Sequence, residues 1–146
     1  MTLNAAECVR GFGIEPKIAL LSYSTKGSGG DSPDILKIRK AVEIVKKQDL
    51  KLIIDGELQV DAAVSKFGAK KKCPDSPLKG DANILVFPNL TASNIFAHGI
   101  GQFSDMSLDM SILKGLMKPV GILGRSTPVE AVRNIILSCA MQVNVE

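Results

Sequence analysis

The chain is poor in the residues on which many nucleic acid and metal sites depend. Its 146 residues include no tryptophan, one tyrosine and one histidine, and aromatic residues make up only 4% of the total. Nucleic acid surfaces combine basic residues with aromatic rings on which bases stack, so this composition argues against a nucleic acid partner. His98 alone cannot form a histidine-based zinc site, and no ligand motif surrounds it, so we expect no metal.

Cysteines and long apolar runs are also scarce. Cys8, Cys73 and Cys139 are widely spaced and form no CxxC pair, which is typical of reduced thiols in a cytosolic protein. No apolar run approaches the roughly 18 residues of a membrane-spanning helix, and no signal peptide is visible. We therefore expect a cytoplasmic protein without a membrane partner. The 45% of hydrophobic residues suffices for a single domain over residues 1–146.

Short apolar runs alternate with amphipathic stretches along the chain. The apolar runs predict strands near 17–23, 50–54, 83–87 and 119–123. Helices are predicted over 1–12, from Pro33 after a cap at Asp31 or Ser32, over 59–67, from Asn89 or Thr91 through Asn94, over 108–116, and over 128–141. Residues 68–82 are predicted to be a mobile loop.

This alternation predicts an α/β fold, with a parallel sheet that has helices on both faces. Ligands of such sheets bind beyond the carboxyl ends of the strands. Polar junctions at 22–30, 55–59, 89–94 and 124–127 follow the four strands, so we expect them to share one edge. The candidate substrate-binding residues at the first three junctions are Ser24, Thr25, Lys26, Gly27, Asp55, Gln59, Asn89 and Asn94.

The first junction reads SYSTKGSGG and has the composition of an anion-binding loop. Its glycines let backbone N–H groups converge, Ser24 and Thr25 offer hydroxyls, and Lys26 adds a positive charge ahead of a helix N-terminus. The order of a Walker A motif is absent, because Lys26 precedes the glycines. A plain connection from strand to helix remains an alternative, and Asp55-Gly56 is equally compatible with an ordinary turn.

The last junction reads GRSTPVE. Thr127, Pro128 and Glu130 fit a capping box, in which Glu130 reaches back to the cap. Arg125 stands just before this helix, where a guanidinium, backbone N–H groups and the helix dipole would meet an anion together. A surface ion pair is the alternative for Arg125. His98 lacks a visible partner, and a place on the helix surface suits it better than catalysis.

Four segments together resemble the carboxyl-terminal part of phosphate acetyltransferases. They are SYSTKGSG, DGELQVDAAV, SPLKGDANILVFPNLTASN and KPVGILGRSTPVEAV, which occur in the family's order and spacing. The resemblance implies a fold like half of an isocitrate or isopropylmalate dehydrogenase. It also implies transfer of an acetyl group between coenzyme A and phosphate, without metal or cofactor. Family members are about twice this length, so the chain resembles one half of the enzyme.

Several positions depart from the family pattern. Arg125 matches the family's arginine, but Gly124 stands where the family has serine, and Ala131 stands where it has an aspartate that takes the thiol proton. Asn94 is retained, whereas Ala97 and His98 replace a tyrosine and a lysine. The resemblance therefore implies binding chemistry more strongly than proton transfer.

The leading hypothesis is a phosphate acetyltransferase-type domain that forms one wall of a cleft for acetyl-CoA, CoA, phosphate and acetyl phosphate. Arg125 and Ser126 are the candidate catalytic residues, since a guanidinium and a hydroxyl can steady the tetrahedral oxyanion. We expect weak or no activity from this chain alone, and a homodimer. The alternatives are a non-catalytic acetyl-CoA or acyl-phosphate sensing domain, like that of some malic enzymes, and a structural dimerisation module.

Overall fold

The computed structural model describes residues 1–106, 111–125 and 127–143, which form two compact units. The sheet unit contains Thr2 and Glu15–Asn94, and the terminal unit contains Met1, Leu3–Ile14 and Ile95–Glu146. The elements in chain order are α1 Thr2–Arg10, β1 Lys17–Leu21, α2 Pro33–Gln48, β2 Ile53–Leu58, α3 Val60–Val64, α4 Lys66–Lys72, β3 Ile84–Val86, α5 Leu90–Phe103, β4 Ser111–Leu113, β5 Val120–Ile122 and α6 Val129–Val143.

Three strands of the sheet unit form a parallel sheet in the order β2-β1-β3. Ile18 of β1 lies opposite Ile54 on one side and Ile84 on the other. Strands buried on both faces explain the continuous apolar runs of the sequence. The parallel α/β architecture expected from the sequence is confirmed for this part of the chain.

Helices cover both faces of this sheet. On one face α2 packs against β1 and β2 through a buried stripe: Ile35, Ile38, Val42 and Val45. On the other face Ala19, Leu21 and Leu58 pack with residues of α3, α4 and the segment after it. The predicted start of α2 is confirmed, because the Ser32 side chain accepts a hydrogen bond from the Ile35 N–H and Pro33 is the first helical residue.

The prediction that the second strand ends at Asp55-Gly56 is wrong. β2 continues to Leu58, which lies opposite Leu21 and accepts a hydrogen bond from the Ser22 N–H at 2.9 Å. Asp55 and Glu57 are buried inside the sheet unit, where each has a cationic partner. Without those partners, two acids around a glycine favour a turn, which explains the error.

The segment after β2 is more ordered than the sequence indicated. The helix predicted over 59–67 is divided at Ser65 into α3 and α4, and Ser65 caps α4 by accepting from the Gly68 N–H. α4 continues to Lys72, so a single loop over 68–82 is wrong. The connection to β3 instead buries Ser76 and Leu78 against the core.

The terminal unit contains an antiparallel pair, β4 with β5. The helix predicted over 108–116 is wrong at Ser111–Leu113, which is β4, while residues 107–110 lie outside the described residues. The expected fourth parallel strand, β5, pairs antiparallel with β4 instead. Only six residues connect the two strands, and Gly115 turns the chain at φ 90°, whereas parallel pairing needs a long crossover. The fourth polar junction therefore does not follow a strand of the parallel sheet.

Candidate functional site

The loop between β1 and α2 folds around a carboxylate that belongs to the neighbouring strand. Ser24 and Thr25 are buried, and Lys26 and Gly27 both have positive φ, at 49° and 93°. This turn directs the Gly27 N–H and the Ser24 hydroxyl inward. Both donate to Glu57 Oε1, at 2.7 Å and 3.0 Å.

Arg39 of α2 completes the surroundings of Glu57. Its Nε donates to Oε2 at 2.8 Å and its Nη2 to Oε1 at 3.1 Å, which is the bidentate geometry of strong arginine–carboxylate pairs. Burial alone would raise the pKa of Glu57, but hydrogen bonds from Arg39, Gly27 and Ser24 outweigh it and lower the pKa to about 2. Glu57 is therefore a fixed anion at neutral pH.

Arg39 also reaches the far end of the loop. Its Nη1 pairs with Asp31 at 2.6 Å, and its Nη2 donates to the Gly30 carbonyl at 3.2 Å. Glu57 and Asp31 together raise the pKa of Arg39 above its ordinary value. Sequence reasoning missed both Arg39 and Glu57. The signal that the sequence offered was the acidic residue Glu57 between Gly56 and Leu58. A buried strand would normally carry an apolar residue at that position.

Lys26 points its ammonium at Asp55. It contacts Asp55 Oδ1 and lies 3.5 Å from the Gly56 carbonyl oxygen. The side chain of Asp55 is only 4% exposed, whereas that of Lys26 is 41% exposed. Burial favours the neutral form of Asp55, but the contact with Lys26 leads the opposing interactions that lower its pKa. Among the described residues, Asp55 Oδ2 has no partner with hydrogen-bond geometry.

Thr25 and Gln59 form a second link between the loop and the end of β2. The Thr25 hydroxyl accepts from the Gln59 N–H at 2.9 Å and donates to Gln59 Oε1 at 3.3 Å. Lys72 of α4 donates to the same Oε1 at 3.0 Å and pairs with Asp61 at 2.7 Å. That pairing lowers the pKa of Asp61. Sequence reasoning assigned no site role to Lys72 or Asp61.

Two adjoining pockets open beside this network, with volumes of about 520 and 420 Å³. Lys26, Lys46 and Asp55 line both. The larger pocket also reaches Arg39 and Glu57, and the smaller one reaches Lys72, Cys73 and Ser76. Burial raises the pKa of the Cys73 thiol, which makes it a poor nucleophile. Both pockets are lined by basic and acidic side chains, which suits a polar group.

The asparagines predicted at the third junction lie at the beginning of α5. Asn89 caps this helix, since its Oδ1 accepts from the Ala92 N–H at 2.9 Å. Asn94 lies further along α5, and its side chain is exposed. His98, one turn after Asn94, is exposed as well. The structure therefore places the first and third predicted junctions after strands of one parallel sheet, as expected, whereas Asp55 and most of the second junction lie inside β2.

Arg125 belongs to the terminal unit and is exposed in the turn before α6. Ser126 lies outside the described residues. The predicted capping box is wrong: the Thr127 N–H donates to the Gly124 carbonyl at 3.2 Å, and Glu130 lies 3.4 Å from Arg133. Arg133 is three positions after Glu130, so the two side chains are neighbours on the helix surface, where opposite charges at this spacing attract.

Two of the positions that depart from the expected family pattern, Gly124 and Ala131, have different surroundings. A Cβ atom at Gly124 would lie 3.5 Å from Thr127 Oγ1, an ordinary contact, so a serine fits there. Ala131 is buried, with 2% of its surface exposed, and a carboxylate there would be buried as well.

The described residues contain neither a metal-binding cluster nor a membrane-spanning helix. In residues 1–106, 111–125 and 127–143, no group of three histidine, cysteine, aspartate or glutamate side chains is arranged to hold a metal ion. None of the helices in the same ranges has the length and apolar character needed to cross a membrane.

Comparison with known proteins gives consistent matches. A sequence model of the family described as phosphate acetyl/butaryl transferase matches residues 1–140. The chain is 45% identical over 140 residues to a phosphate acetyltransferase of Treponema pallidum, covering 94% of this chain and 41% of that protein. It is 44% identical over 144 residues to the NADP-dependent malic enzyme of Escherichia coli, covering 98% of this chain and 18% of that enzyme.

A solved structure agrees with these matches. The crystal structure of a phosphotransacetylase from Streptococcus pyogenes superposes with a TM-score of 0.88 at 41% identity, covering 96% of this chain and 42% of that one. The chain thus spans about two fifths of the length of these two proteins, the phosphate acetyltransferase of Treponema pallidum and the phosphotransacetylase of Streptococcus pyogenes.

Proposed function

Because the chain belongs to the phosphate acetyl/butaryl transferase family, we propose that it forms one wall of a phosphate acetyltransferase active site. The reaction is acetyl transfer between coenzyme A and inorganic phosphate, with acetyl phosphate as the other product. The observation that carries the proposal is the family match over residues 1–140, joined by 45% identity to a phosphate acetyltransferase.

Arg125 and Ser126 are the residues to which we assign the oxyanion and the transferred phosphate. The Arg125 guanidinium can hold two phosphate oxygens at once and can stabilise the tetrahedral oxyanion. Its exposure in the turn before α6 leaves it accessible to a substrate. In the sheet unit, Lys26, Asn89 and Asn94 are assigned to substrate binding, with the two asparagines after the carboxyl end of β3.

Proton transfer from the coenzyme A thiol lacks an assigned base in this chain. Ala131 occupies the position of the family's aspartate, and it is buried in α6. Loss of a general base slows an enzyme by roughly 10² to 10⁴ fold. We therefore expect the isolated chain to be weak or inactive.

The resemblance to this family also supports proposals about the domain, its fold, its cellular location and its oligomeric state. We infer one phosphate acetyltransferase-like domain over residues 1–146, related in fold to half of an isocitrate or isopropylmalate dehydrogenase, in a cytoplasmic homodimer. Coenzyme A acts as a substrate, and no cofactor is required. Large apolar side chains of the terminal unit are fully or almost fully exposed, which supports association: Phe103, Met117 and Val129.

A non-catalytic sensing domain for acetyl-CoA or acyl phosphate is the second candidate. The match to the Escherichia coli malic enzyme covers 98% of this chain and favours this function, because that enzyme is named for a reaction other than acetyl transfer. Under this hypothesis the chain binds the ligand and does not turn it over.

One assay separates the two candidates. Acetyl phosphate formation from acetyl-CoA and phosphate is measured for this chain alone and for this chain mixed with the remaining part of the Streptococcus pyogenes phosphotransacetylase. Turnover in the mixture that Arg125→Ala abolishes supports the enzyme. Saturable coenzyme A binding without turnover in either sample supports the sensor, and failure to bind coenzyme A or phosphate contradicts both.

A further inference from the structure

Three donors of the loop that could hold an external anion are already hydrogen-bonded within the chain. The Ser24 hydroxyl and the Gly27 N–H both donate to Glu57 Oε1, at 3.0 Å and 2.7 Å. The Thr25 N–H donates to the Ser28 hydroxyl at 3.0 Å. A second anion would have to displace a buried carboxylate to reach these donors, which costs more than an exposed contact returns.

Arg39 holds that carboxylate in place. Its guanidinium contacts both oxygens of Glu57 and also bonds the Gly30 carbonyl, so a single side chain joins β2, α2 and the end of the loop. Replacing a buried ion pair with apolar residues is often neutral or stabilising. Stability alone therefore does not account for this arrangement, whereas the geometry that it imposes on the loop does.

Lys26 is the residue whose position this geometry fixes. Its N–H donates to the Glu57 carbonyl at 3.2 Å, and its neighbours Thr25 and Gly27 are bonded to Gln59 and to Glu57. Its φ of 49° is a conformation that non-glycine residues seldom adopt, so the surrounding bonds must maintain it. Its ammonium contacts the buried carboxylate of Asp55, but 41% of the side chain is exposed and it lines both pockets, so a ligand can reach it without displacing Asp55.

We propose that Arg39 and Glu57 are positioning residues, which fill and fix the loop so that the Lys26 ammonium is its contact with an anionic ligand. The proposal deepens the proposed function, and rests on it in taking phosphate as the ligand. It also divides the predicted binding residues: Ser24 and Gly27 hold Glu57, and Lys26 meets the substrate.

The first experiment measures the positioning without any ligand. Amide hydrogen exchange is followed by NMR for Gly27 and Gly29 in the loop, with Leu20 and Ile54 as sheet references. In Glu57→Ala and Arg39→Met we expect loop protection to fall at least about tenfold, the effect of one charge-assisted hydrogen bond. Sheet protection should change far less, whereas a merely structural pair would lower loop and sheet protection by the same factor.

Rescue makes this experiment specific. Formate added to Glu57→Ala should occupy the space of the lost carboxylate and restore Gly27 protection, while chloride at equal ionic strength should not. Arg39→Lys, which keeps the charge, should retain more protection than Arg39→Met. Lys40→Met is the matched control on α2, since Lys40 pairs with Glu43 in solvent at 3.2 Å. Equal loss in Lys40→Met, or no response to formate, would overturn the proposal.

The second experiment titrates inorganic phosphate by calorimetry. Lys26→Ala should weaken binding about tenfold, and its loop protection is measured alongside because the substitution also removes the cationic partner of Asp55. Ser24→Ala should weaken binding only as far as it loosens the loop. If Ser24→Ala with an intact loop weakens phosphate as much as Lys26→Ala, the ligand contacts the loop donors directly and the proposal is wrong. Absence of phosphate binding in the wild type counts against the proposed function, while the exchange experiment still decides the positioning.

Discussion

The buried carboxylate of Glu57 predicts a specific dependence of stability on pH. Its pKa is lowered from 4.5 to about 2 in the folded chain, and a difference of that size corresponds to about 3 kcal/mol of unfolding free energy. Because the folded pKa is the lower one, this stability is complete above pH 4.5 and is lost as the pH falls toward 2. About 2 kcal/mol of it should be gone at pH 3.

Urea unfolding of the wild type and Glu57→Gln from pH 7 to pH 3 tests this expectation. Both proteins share every other titrating group, so the difference between their unfolding free energies reports residue 57. At pH 7 the variant should be less stable by about 3 to 5 kcal/mol, since Arg39 loses its buried partner. The difference should shrink by about 2 kcal/mol at pH 3.

Glu43→Gln is the matched control for this series. Glu43 forms an exposed pair with Lys40, and such pairs contribute little to stability, so its curve should run parallel to that of the wild type. A constant difference between wild type and Glu57→Gln across the whole range would refute the reasoning. It would mean that the contacts with Arg39, Gly27 and Ser24 do not stabilise the ionised carboxylate.

Three further predictions concern binding, association and packing. Arg125→Ala should weaken phosphate binding by about one to two decades in calorimetry, because a guanidinium grips two oxygens at once; wild-type affinity in Arg125→Ala would contradict this. The chain should sediment as a dimer at micromolar concentration, and a monomer independent of concentration would count against the exposed apolar surface as an interface. Gly80→Ala should lower the unfolding free energy by about 1 to 3 kcal/mol more than Gly13→Ala in urea titrations. Both residues have positive φ, but only at Gly80 would a Cβ lie 2.3 Å from a backbone oxygen, that of Ser65, and equal losses would refute the close contact.

Elements whose signals are local could be predicted from the sequence. The start of α2 depends on Ser32 and Pro33, which are adjacent, and its buried stripe follows the helical period. The parallel strands β1 and β3 are continuous apolar runs, and β2 begins with two isoleucines, as burial on both faces requires. Each of these patterns can be recognised without knowledge of what packs against it.

The features that were missed depend on distant partners. Glu57 is compatible with the inside of a strand only because Arg39 and Ser24, 18 and 33 residues away, supply donors to it. The loop was predicted to bind an external anion, which stays a prediction; the anion that the structure places in it is Glu57 of the same chain. Ser111–Leu113 is too short to show a period of two, and its pairing with β5 depends on the turn at Gly115.

The contact between Ser24 and Glu57 also has a consequence for the order of folding. α2 can begin to form from neighbouring residues, but the loop before it reaches its shape only when a strand 33 residues further along the chain has arrived. Closing a segment of that length costs entropy before any contact compensates for it. Loop and sheet therefore form together, and a fluorescent or isotopic label at Gly27 reports the moment at which β1 and β2 pair.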